Sequence, residues 1–133
     1  MTGCVRLSSV MQSMSERDNR LYVEDMLEFC CASLAYSAGL TEATLTAEAM
    51  RYDAILRNLE LIGEAATHVP DAVRAMAPNV PWRQVVATRN RVAHGYLGIS
   101  AATVWSILHD DLPALEKALS ALLVLMPPAA VGP

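Results

Sequence analysis

The sequence predicts an all-α protein, an up-down four-helix bundle with one extra short helical turn. Three observations lead there. Ala and Leu are abundant while aromatics make up only 5% of the chain, a balance that favours helices over strands. Apolar residues recur at three- and four-residue spacing over four stretches. Gly39, Pro70, Pro78, Pro81, Gly95 and Pro127 fall between or after those stretches, where helices are expected to stop or start.

The four stretches follow in order. Residues 1–13 lack a helical period and read as a mobile N-terminal extension ahead of a domain at 14–126, with a tail at 127–133. Leu21, Tyr22, Met26, Leu27, Phe29, Cys30 and Leu34 define a first helix from Ser15, its expected N-cap, to about Ser37. A second helix runs from a cap at Thr44 or Thr46 to about Val69, where Pro70 ends it. Residues 71–76 allow one short helical turn. The third helix opens at Pro81 or Trp82, with Pro in its favoured first-turn position, and ends near His94. Ser100 caps a fourth, which runs to about Leu125 and which Pro113 is expected to kink or break.

The bulk numbers bound the function. A chain of 133 residues with 53% hydrophobic and 18% charged side chains fills one globular core and is not disordered. The net charge of −4 excludes a general polyanion binder, so any contact with nucleic acid must come from a local basic patch. Cys4, Cys30 and Cys31 are odd in number and lack a CxxC spacing. They read as buried thiols in a reducing cytoplasm rather than as a disulfide framework or zinc site. No apolar run spans a bilayer, and the first residues are too polar for a signal peptide.

The second helix carries two apolar stripes: Tyr52, Ile55, Leu59, Ile62, Gly63 and Ala66, and a narrower one of Met50, Ala54, Leu61 and Ala65. A second stripe implies a second covered surface, which points to a homodimer or else to cover by the N-terminal segment or the kinked fourth helix. Between them runs a polar ridge of Asp53, Arg57, Glu60 and Glu64.

The third helix holds the candidate chemistry. Trp82, Val85, Val86, Val92 and Ala93 form its apolar stripe, and Arg89 falls near the middle of it. An arginine cannot shed its charge in a core, so either a carboxylate meets it or that face opens on a solvated interface. Asn90 and His94 are four residues apart and stack on one flank, with Arg83 upstream on the same flank. Arg89 and His94 lie roughly 140° apart around the helix and do not share a face. A long arginine stem, a loosened helix end or a two-fold axis could still bring them together. The residue types suit phosphodiester cleavage without a metal or cofactor. A histidine moves protons near neutral pH, an arginine holds phosphate, and an asparagine orients the imidazole. Two copies would supply two histidines and gather Arg83, Arg89 and Arg91 into one basic patch.

Several blocks together are more specific than that pair. They are Arg57-Asn58-Leu59-Glu60-Leu61-Ile62-Gly63-Glu64-Ala65, Pro81-Trp82, Arg89-Asn90-Arg91-Val92-Ala93-His94-Gly95-Tyr96, and Val104-Trp105-Ser106-Ile107-Leu108 followed by Asp110-Asp111-Leu112-Pro113. In these the chain resembles the HEPN family, and within it the HepT-like (DUF86) toxins. The resemblance covers Met14 to about Leu125. It implies a homodimeric, metal-independent endoribonuclease toxin of a type VII-like toxin–antitoxin system. The Arg-x4-His-x-Tyr motif falls on Arg89, His94 and Tyr96, so that Arg89 and His94 are expected to be catalytic with Asn90 in support. The implied partner is an MNT-type nucleotidyltransferase antitoxin that transfers AMP to the motif tyrosine, here Tyr96. Charge and bulk added there would block RNA. The same blocks also allow a non-catalytic HEPN subunit that holds a nucleotidyltransferase.

Overall fold

The computed structural model describes residues 2–94 and 98–127, with side chains from residue 18 onward. Six α-helices and one π-helical turn make up these residues: α1 Thr2–Ser37, α2 Ala49–Thr67, α3 Asp71–Arg74, α4 Trp82–Ala93, α5 Ala101–Ser106, the π-turn Ile107–Asp111, and α6 Leu112–Leu125. The π-turn joins α5 to α6, so the chain makes four long helical passes plus the short α3. The expected all-α bundle is observed, and no strand occurs among the described residues.

The first helix begins earlier than expected. It runs unbroken from Thr2, so Ser15 lies inside α1 and does not cap it. Gly39, with φ of 79°, turns the chain after α1, a left-handed conformation that favours glycine. The expected cap at Thr44 or Thr46 is not used either. Glu48 stands at the N-cap of α2 without a side-chain hydrogen bond. Thr44 instead closes the preceding turn, where its Oγ1 accepts from the Thr41 N–H at 2.8 Å. A threonine hydroxyl serves a tight turn as readily as a helix start, and composition does not separate the two.

Packing runs α4 on α2, α2 on α1, and α1 on α6 and the π-turn. The core sits where these passes meet. Val23, Met26 and Cys30 of α1 face Ile55, Leu59 and Ile62 of α2 and Leu112, Leu119 and Leu122 of α6, all buried. The buried Cys30 thiol donates to the Leu112 carbonyl at 3.3 Å, at the junction between the π-turn and α6. Pro113 stands in the first turn of α6. A proline supplies no N–H and crowds the preceding turn, and here the wider π-turn immediately precedes it. The expected disturbance is therefore a change of helical winding within a continuous pass.

Two arginines tie helix ends. Arg74 donates to the Ala66 and Val69 carbonyls at 2.7 and 3.0 Å, closing the end of α2. The same guanidinium lies 5.5 Å from the ring centre of Trp82, the first residue of α4. Trp82 in turn donates its indole N–H to the Ala77 carbonyl. These links fix where α4 starts relative to α2. Arg20 pairs with Glu24 and donates to the carbonyls of Leu123, Met126 and Pro127, closing the end of α6.

The narrower stripe of α2 is only partly open. Met50 is 88% exposed, Ala54 and Leu61 are half-buried, and Ala65 is in the core.

Candidate active site

Arg89 projects from α4 where that helix crosses α2. Gly63 makes the crossing close: a Cβ there would collide with the Cβ of Arg89. Immediately beyond, Glu64 meets the arginine, its Oε2 2.6 Å from Arg89 Nη2. Of the two ways to accommodate a charge on that stripe, a carboxylate partner is thus the one observed. Nη1 donates to Asn90 Oδ1 at 3.0 Å. The guanidinium and carboxylate remain half-exposed, so both are reachable from solvent.

Glu64 has a second neighbour. His68 Nε2 stands 3.6 Å from its Oε1, and the His68 ring stacks on Tyr22 of α1 with centroids 4.9 Å apart. Tyr22, His68, Glu64, Arg89 and Asn90 therefore form one continuous set of contacts across α1, α2 and α4. His68 also closes α2 through its backbone N–H, which donates to Ala65 and Ala66. His68 is thus an exposed capping residue that also contacts Glu64.

The Arg83, Asn90 and His94 side chains are all exposed. Arg83 makes no ion pair among the described residues. His94 occupies the C-cap of α4, its backbone N–H donating to Arg91. Its Cβ lies tight against Gly98, where a side chain would crowd it at 3.1 Å. Arg91 donates from Nε to the Gly98 carbonyl at 3.2 Å, tying the returning chain to the end of α4. Tyr96 lies outside the described residues.

On the opposite flank of α4 lies a separate cleft of about 260 Å³. Its floor is Leu59, Ile62, Val85 and Leu115, and its rim carries Gln84, Thr88, Asp110 and Asp111. Burial, and then the neighbouring Asp110, push the Asp111 carboxyl above its ordinary range. α4 thus separates an acidic cleft from the flank that carries Arg83, Asn90 and His94.

Sequence reasoning placed Glu64 on a polar ridge without identifying its partner, and placed Gly63 within an apolar stripe without a role. A glycine inside a helix lowers its stability relative to alanine. On a packing face it signals close approach of another backbone, and that was the available clue.

A sequence profile of the family described as Ribonuclease HepT-like matches residues 21–122. A protein of Methanocaldococcus jannaschii, provisionally named as an RNase, is 33% identical over 104 residues, covering 78% of this chain and 95% of its own. A Thermococcus cleftensis protein named as a probable ribonuclease HepT is 26% identical over 101 residues, covering 76% and 92%. A provisionally named RNase of Caldanaerobacter subterraneus is 29% identical over 98 residues, covering 74% and 88%. No solved structure gives a significant match. No described helix is long and apolar enough to cross a membrane. The chain belongs to the HepT-like ribonuclease family.

Proposed function

We propose that the protein is a metal-independent endoribonuclease that acts as a toxin, with Arg89 and His94 as catalytic residues and Asn90 in support. The observation that carries this reading is the half-exposed Arg89 guanidinium, held between Glu64 and Asn90 on the helix that ends at the exposed His94. Both residues occupy the positions of the family's Arg-x4-His motif.

His94 takes the proton from a ribose 2′-hydroxyl, and the 2′-oxygen attacks the adjacent phosphorus. The bond from phosphorus to the 5′-oxygen breaks, and that oxygen receives a proton from a second acid. Products would end in a 2′,3′-cyclic phosphate and a 5′-hydroxyl. The free N–H groups of Arg89 hold the phosphoryl oxygens as charge develops on them. In a homodimer the second histidine comes from the other copy and serves as the acid. Arg83 and Arg91 of both copies then add positive charge along the RNA.

Control of the toxin falls to a partner nucleotidyltransferase of the MNT type. It transfers AMP from ATP to the Tyr96 hydroxyl and releases pyrophosphate. The added phosphate places negative charge and bulk two residues beyond His94.

The decisive measurement is incubation of the protein, purified free of its partner, with RNA in excess EDTA. Cleavage is expected, and it is expected to vanish in both His94→Ala and Arg89→Ala while each stays folded. Intact RNA from unmodified wild-type protein would overturn the reading. After co-expression with a partner nucleotidyltransferase of the MNT type, intact mass should rise by one or more AMP units and stay unchanged in Tyr96→Phe.

A further inference from the structure

We propose that Glu64 is the positioning residue of the Arg89 guanidinium, with Gly63 setting the helix spacing at which it acts. The inference rests on the ribonuclease reading above. Arg89 leaves α4 at its crossing with α2, and its stem lies where a side chain at Gly63 would be. A Cβ at Gly63 would also stand 3.0 Å from Arg89 Cγ and from the Val85 carbonyl oxygen. Any larger residue therefore pushes α4 away from α2. The close crossing brings Arg89 Nη2 to 2.6 Å from the Glu64 carboxylate, one residue further along α2. Asn90 Oδ1 accepts from the other terminal nitrogen at 3.0 Å.

A guanidinium is planar and carries five N–H donors. Anchors on two different nitrogens fix its plane and direction and leave the other donors to phosphoryl oxygens. Without them the long, many-rotamer stem must be ordered when substrate binds, which costs free energy at the moment of reaction. Glu64 is flanked on its far side by His68, 3.6 Å away, whose ring stacks on Tyr22. An ion pair with side chains 36% and 46% exposed adds little to stability. Its consequence is geometric: it sets where the positive charge sits.

The test compares wild type with Glu64→Ala and Glu64→Gln under steady-state cleavage of one RNA. Glu64→Ala should lower kcat by about 10- to 100-fold, with KM changed far less and Tm unchanged. Glu64→Gln keeps an oxygen that accepts from Nη2. It should recover most of kcat and bind RNA at least as tightly, since a negative charge is gone. Full kcat in Glu64→Ala would overturn the proposal, as would a loss that follows Tm and is not recovered by Gln. Side-chain ¹⁵N NMR of Arg89 supplies a readout without RNA. The Nε–H group should be ordered in wild type and Glu64→Gln and averaged in Glu64→Ala. If wild type cleaves no RNA, the ribonuclease reading fails, and this NMR comparison still decides the positioning role. Equal mobility in all three proteins would end it.

Discussion

A single charged residue on an apolar stripe was the most informative signal at the level of the residue. Helical periodicity places Arg89 among Val85, Val86 and Val92, and a permanent charge there demands a partner. The partner was not legible, because a helical wheel gives angles around one axis and says nothing of where two helices cross. Gly63 decides that crossing. Gly63→Ala removes no contact and improves helix propensity, yet the added Cβ collides with Arg89. Overpacking of this kind costs about 1–3 kcal/mol. The urea midpoint should therefore fall, where propensity alone would raise it. Cys30 makes a second residue-level prediction. Burial first, then Cys31 and Glu116, push its thiol from 9.0 up to about 12. Its stabilising contribution is complete below pH 9, because both states then hold the proton. Above that the unfolded chain ionises first, so stability is lost as pH rises towards 12. Cys31 is shifted in the same direction. The denaturation midpoint should fall between pH 8 and pH 10, and should fall less steeply in Cys30→Ala.

Elements announced their ends unevenly. Ser100 was read as a cap from its place before an apolar run, and its hydroxyl does accept from the Thr103 N–H at 3.1 Å. Pro81 and Trp82 likewise mark the start of α4 as expected. Thr44 failed as a cap because a hydroxyl can satisfy a turn three residues away as well as a helix end. The π-turn before Pro113 was legible only as a disturbance, since a wide turn and a kink answer the same steric conflict. What no local pattern could reveal are the caps supplied from distant parts of the chain. Arg20 lies on α1 yet serves three carbonyls at the end of α6. Removing it in Arg20→Ala should leave the core of α6 intact and free its last turn. Hydrogen exchange at the Met126 amide, which donates to Leu122, should accelerate. Exchange around Leu115 and Leu119 should stay at the wild-type rate, and uniform acceleration along α6 would refute the capping role.

Over the whole molecule, charge is segregated around α4. The chain carries a net −4, and Asp110 and Asp111 rim the cleft on one flank of that helix. Arg83, Asn90 and His94 occupy the other, with Arg91 exposed beside them. On the proposed ribonuclease reading, RNA would be drawn to the strip that carries Arg83 and Arg91, over a Debye length of about 8 Å at physiological salt. If RNA binds there, the salt dependence of binding counts the phosphates that this strip engages. Each phosphate contact on a single strand contributes about −0.7 to the slope of log K against log salt. Arg83→Ala should therefore make that slope shallower by about 0.7, measured by anisotropy with a 2′-O-methyl oligonucleotide that cannot be cleaved. Arg51 is the control. Its guanidinium is held by the Tyr36 and Ala38 carbonyls between α1 and α2, so Arg51→Ala should leave the slope unchanged. Equal effects from the two substitutions would mean that net charge, rather than the α4 strip, governs RNA binding.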